Sequence, residues 1–76
     1  MPTVLRQDGF EVRIYTADHT PPHVHVFKGG GEVVVEIDPL SVREAKGMSR
    51  REEAAATRLV EEHQDKLREA WRRFHG

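Results

Sequence analysis

The stretch HVHVFKGGGEVVVEI, residues 23–37, leaves this chain little freedom in how it folds. Two short runs alternate apolar and polar residues, and a glycine turn separates them. Successive side chains of an extended strand point to opposite faces. Val24 and Val26 therefore share one side, while His23, His25 and Phe27 share the other. Folding Lys28–Gly31 as a four-residue loop sets Val26 against Val33 and Val24 against Val35, which makes one continuous apolar face. A slip of one residue would turn those valines into water, so the pattern specifies the register. In that register Phe27 lies opposite Glu32, His25 opposite Val34 and His23 opposite Glu36.

The remaining segments divide into strand before this hairpin and helix after it. Thr3–Arg6 is a short extended run, and Asp8-Gly9 is a tight-turn signal. Phe10–Thr16 alternates, with Phe10, Val12 and Ile14 on one face and Glu11, Arg13 and Tyr15 on the other. Ala17–Pro22 is a connection in which Pro21-Pro22 imposes extended geometry on the residue before each proline. Asp38-Pro39 ends the fourth strand. Ser41–Met48 reads as loop or a short turn of helix. Ser49 followed by Glu52 is a capping box, which predicts a helix start near Ser49. From there Ala56, Leu59, Val60, His63, Leu67, Ala70, Trp71 and Phe74 recur at three/four spacing and form one helical face. His63-Gln64-Asp65 holds no strong helix former, so this region is either one long helix or two short ones. The expected fold class is α+β: a small antiparallel β-sheet of three to four strands, followed by C-terminal helix packed on its apolar face.

A chain of 76 residues is expected to form a single domain, residues 1–76. A domain of this size buries only about 60% of the surface its unfolded chain exposes, so its stability is small. The chain has no cysteine, which removes disulfides and thiolate metal sites together. A staple, if one exists, is a His/carboxylate metal site or another protein chain. Net charge is −1, so overall charge does not mark a polyanion binder. The basic excess lies in the second half, at Arg43, Lys46, Arg50, Arg51, Arg58, Arg68, Arg72 and Arg73. Interleaved glutamates there fit the solvated side of helices. No apolar run approaches the roughly 20 residues of a membrane span. MPTVLRQDGFEVRIY lacks the charged-then-apolar pattern of a signal peptide. A cytoplasmic protein with no membrane partner is the resulting expectation.

The chemistry concentrates around the histidines. An exposed imidazole titrates near neutrality, so His19, His23 and His25 are the candidate catalytic acid–base groups. Asp18 arrives from the preceding loop as a ligand or phosphate contact. Arg13 and Lys28 are the candidate cations for a phosphate, and Tyr15 is placed to stack on a base or to close the histidine pocket. Two imidazoles and a carboxylate also form a common ligand set for first-row metals. His23, His25 and Glu36 are thus an alternative metal site, with zinc or another divalent ion as the cofactor; otherwise no cofactor is implied. A cross-strand His–Glu pair equally needs no metal, because opposite charges across a sheet attract on their own. Trp71 and Phe74, at helical spacing, are expected in the core, and His63 is expected to be a satisfied boundary residue.

PHVHVF is similar to the histidine-triad nucleotide hydrolase motif, but Phe27 stands where that pattern has its third histidine, and the activity is not carried over. A second resemblance spans nearly the whole chain. MPTVLRQDGF, then Y-T-x-D-H-T-P-P-H-V-H-V, then G-E-V-V-V-E-I-D-P, then G-M-S-R-R-E, and a tail E-A-W-R-R-F-H-G together resemble the DUF4160 family. That resemblance implies a small bacterial protein linked with type II toxin–antitoxin modules, usually on the toxin side. It implies a cognate small antitoxin-like protein as partner. Its pattern lands on Asp18, His19, Pro22, His23 and His25. The expected function is a toxin-like component acting on RNA through the histidine-bearing sheet face. The alternative is a noncatalytic protein- or nucleic-acid-binding module, either of them open to homo-oligomerisation.

Overall fold

A computed structural model describes residues 3–75. Met1, Pro2 and Gly76, where the quoted family pattern begins and ends, lie outside the described residues. Five strands come first: β1 Thr3–Gln7, β2 Phe10–Arg13, β3 His23–Lys28, β4 Gly31–Ile37 and β5 Leu40–Lys46. They form one sheet in chain order, each strand antiparallel to the next. Two helices follow, α1 Arg50–Glu62 and α2 Gln64–His75. The α+β class is as expected, but the sheet has five strands rather than three to four. The additional strand is β5, over the segment read as loop or a turn of helix.

Turn chemistry sets up the meander. Asp8 and Gly9 both adopt positive φ, 54° and 83°. Two successive positive φ values match the twist of the flanking strands, as a two-residue hairpin requires. In the second hairpin Lys28 pairs with Gly31, leaving only Gly29 and Gly30 in the turn. The register is nonetheless the expected one: Phe27 faces Glu32, Val26 faces Val33, His25 faces Val34, Val24 faces Val35 and His23 faces Glu36. Beyond it, the Ile37 N–H donates to the Pro22 carbonyl at 3.1 Å and extends the pairing past His23.

The apolar face is the core. Val12, Val24, Val26, Val33, Val35 and Ile37 are fully buried against Ala56, Leu59 and Val60 of α1 and Leu67 and Trp71 of α2. Each such side chain contributes about 1.5–3 kcal/mol on leaving water. Phe74, assigned to the same stripe by its spacing, is instead exposed. β5 is exposed along almost its whole length. It is held by its ladder to β4, which carries a bulge between Val34 and Val35. Charged residues on an edge strand discourage further pairing.

The capping box forms as the sequence implies. Ser49 Oγ accepts from the Glu52 N–H at 3.1 Å, and Glu52 Oε1 accepts from the Ser49 N–H at 3.0 Å. The helical stretch breaks at His63, whose φ of −113° ends α1. The His63 Nε2–H donates to the Gln7 amide oxygen at 3.0 Å, and the Gln64 amide donates to the Ile37 carbonyl at 2.6 Å. His63 is thus a satisfied boundary residue. The two contacts tie the joint to β1 and to the end of β4.

Candidate functional site

The Tyr15–Asp18 segment turns back on itself, with the Asp18 N–H donating to the Tyr15 carbonyl at 3.1 Å. This folds the Asp18 carboxylate over the start of β3. There a single oxygen, Oδ2, meets His23 Nε2 at 2.8 Å and His25 Nε2 at 2.9 Å. The far nitrogen of each ring is also engaged. His23 Nδ1 lies 2.9 Å from the Pro21 carbonyl oxygen, and His25 Nδ1 lies 2.9 Å from Glu32 Oε2. Two imidazoles and two carboxylates therefore form one connected network.

Aromatic rings wall it in. The Tyr15 ring stands edge-on to His25 at 4.3 Å, and the two imidazoles stand 5.2 Å apart. Trp71 of α2 packs on His23 with centroids 5.2 Å apart. His75 stacks on Trp71 at 3.7 Å, and its Nε2 reaches the Tyr15 carbonyl at 3.2 Å. The network thus sits where the 14–22 connection, the first residues of β3 and the last turns of α2 meet. His23 is 4% exposed, while Asp18, His25 and Glu32 remain partly open to solvent.

Burial raises the Asp18 pKa, but hydrogen bonds from His25 and His23 outweigh it and hold the carboxyl below its ordinary range. A carboxylate with a depressed folded value stabilises the fold above the unfolded pKa, about 3.9, and loses that contribution as pH falls through the folded value. Wild type should therefore lose more stability than Asp18→Asn as pH drops from about 4 to 2. Urea unfolding midpoints across that window measure it, and parallel profiles would show that Asp18 carries no such linkage.

The structure sorts the candidates named from the sequence. His23, His25 and Asp18 come together, and Tyr15 closes one side as expected. His19 is exposed and, among the described residues, makes no hydrogen bond to the network, because the turn that brings Asp18 inward leaves its neighbour outside. Arg13 lies across the strand from His25, yet its guanidinium is engaged by Glu11 and lies 4.5 Å over the Phe27 ring. Lys28 shares the parity of the buried valines and places its ammonium 4.6 Å over the Phe10 ring, away from the histidine face. Neither makes a contact with the histidine–carboxylate network itself.

Glu36 also needs correction. It stands opposite His23 in register, but its carboxylate pairs with Arg43 Nε of β5 at 3.0 Å. The carboxylates that reach the histidines are Asp18 and Glu32. Among the described residues, Asp18, His23 and His25 form a group whose ligand atoms all lie within 4.8 Å of one another. Glu32, Trp71 and His75 were not assigned to the site from the sequence. Glu32 was findable: it faces Phe27, and residues diagonal to a cross-strand pair lie within reach of long side chains. Trp71 and His75 offered only a helical spacing, which points equally to core.

Comparison with family models matches residues 9–72 to DUF4160, a domain of unknown function. The match covers both strands of the central hairpin, every member of the hydrogen-bonded network and Trp71. No curated protein and no solved structure matches the chain.

Proposed function

Since the chain belongs to the DUF4160 family, we propose that it is the toxin-like component of a bacterial type II toxin–antitoxin module, with the Asp18–His23–His25–Glu32 network as its effector site. The observation that carries this reading is the network itself. Four titratable side chains converge on one face of the β3–β4 pair, held by aromatic walls and open to solvent on the Asp18–Glu32 side. Such pre-positioned acid–base groups suit proton transfer or the activation of a water. RNA is the first substrate to test. Neutralisation is by direct binding of a cognate small protein.

Induced expression in a bacterial host tests the reading. Wild type should arrest growth, and His25→Ala, folded by circular dichroism, should not. Arrest that persists at full strength in the folded variant would remove the network from the effector role. Absence of arrest in wild type would favour the binding-module alternative.

A further inference from the structure

The hydrogen bonds of the two histidines contain a shortage of protons. Four ring nitrogens face three acceptor oxygens: the Pro21 carbonyl, Glu32 Oε2, and Asp18 Oδ2, which meets two of the nitrogens. A carbonyl and an ionised carboxylate accept only, while a neutral imidazole carries one N–H. Two neutral rings thus supply two of the four protons that the geometry demands. With no ion present, each N–H spent on Asp18 leaves the Pro21 carbonyl or Glu32 without a donor. With the His23 and His25 protons on Nδ1, Pro21 and Glu32 are both satisfied, and both Nε2 lone pairs point at the same carboxylate oxygen, an arrangement that a cation between them would stabilise.

We infer that this position binds a divalent transition-metal ion, zinc being the type ion, through His23 Nε2, His25 Nε2 and the Asp18 carboxylate. Metal-ligating histidines almost always donate their other N–H to a backbone carbonyl or a carboxylate, which fixes the tautomer and the ring orientation. Pro21 and Glu32 are those two partners, one of each kind. The charges also close, since two carboxylates and two neutral imidazoles balance a doubly charged cation. Ligands about 2.0–2.2 Å from a tetrahedral ion stand roughly 3.4 Å apart. A shift of about half an ångström in the Asp18 side chain therefore opens the present contacts to that spacing. Nitrogen-dominated donors select zinc, cobalt or nickel over magnesium or calcium. Three protein ligands leave a fourth position on the solvent side, the arrangement of a site that activates water or holds a substrate. This goes beyond the effector reading and stands whether or not the protein arrests growth.

The test uses untagged full-length protein, freed of metal with chelator and titrated with zinc and separately with cobalt. One equivalent should bind. The cobalt complex should show the visible bands of a four- or five-coordinate N/O site, and histidine nitrogen NMR should show both rings metallated at Nε2. Asp18→Asn and His25→Gln, each checked by circular dichroism, should weaken zinc binding at least 100-fold. Glu32→Gln should weaken it about 10–100-fold, as loss of an orienting partner does. Glu36→Gln should leave it unchanged. No stoichiometric binding at micromolar zinc by folded wild type would overturn the inference, as would binding that survives in Asp18→Asn and His25→Gln. Growth arrest without metal binding would sink the metal alone; metal binding without arrest would sink the effector reading alone.

Discussion

Trp71→Ala should lower the melting temperature by at least about 12 °C. Truncating a buried Trp costs about 3–5 kcal/mol. Each kcal/mol shifts the midpoint of a 60–100-residue domain by about 4–8 °C. At roughly 0.05–0.15 kcal/mol per residue the whole chain holds only about 4–11 kcal/mol, so this one change removes a large share. Trp71 is 5% exposed and belongs to the cluster that joins both helices to the sheet. Its ring also packs against both His23 and His75. The loss should therefore reach the functional site, and metal or substrate binding should weaken in whatever fraction stays folded. Circular dichroism at 222 nm is the right probe, because this is the chain's only tryptophan. A shift below about 4 °C would show that the ring is not packed as described.

Gly31→Ala should also be costly, through a different mechanism. A methyl at Gly31 would lie 2.5 Å from the Gly47 carbonyl oxygen and 2.6 Å from Met48 Cγ. The carbonyl is backbone and cannot swing aside as a side chain would. Gly47 itself has φ of +68°, a conformation that L side chains rarely adopt. The link between β5 and the Ser49 cap would have to move, and overpacking of this kind costs about 1–3 kcal/mol. Gly30→Ala is the matched control, since nothing lies within 4 Å of its added methyl. Its effect should stay within about 0.5 kcal/mol. Equal urea midpoints for the two variants would refute the close approach of these segments.

How far each feature was legible in the sequence follows from the range of the forces that set it. Val24, Val26, Val33 and Val35 bury one strand face, and that requirement alone dictates the hairpin register. The Ser49–Glu52 capping box and the Asp8-Gly9 turn are equally local, each specified by residues three or fewer apart. β5 was illegible because Leu40–Lys46 buries almost no side chain. An edge strand of this type is made by backbone bonds to β4, and those leave no periodic trace in the side chains. The helix break at His63 was foreseen as one of two outcomes. It was decided by hydrogen bonds to Gln7 and to the Ile37 carbonyl, which are far apart in sequence.

The site divides along the same line. Alternation along the strand placed His23 and His25 on a common face, and the sequence by itself determined that much, together with the α+β class and the apolar face beneath the helices. Which carboxylates reach the imidazoles was a competition in three dimensions. Arg43 takes Glu36 once β5 is in place, Glu32 reaches His25 along a diagonal, and the turn at Tyr15–Asp18 carries Asp18 inward while leaving His19 outside. Trp71 and His75 join only because α2 ends beside the start of β3. Those outcomes belong to the tertiary structure, because each depends on which of several reachable partners lies nearest, and pairing distances between separate elements are not written in the spacing of either one.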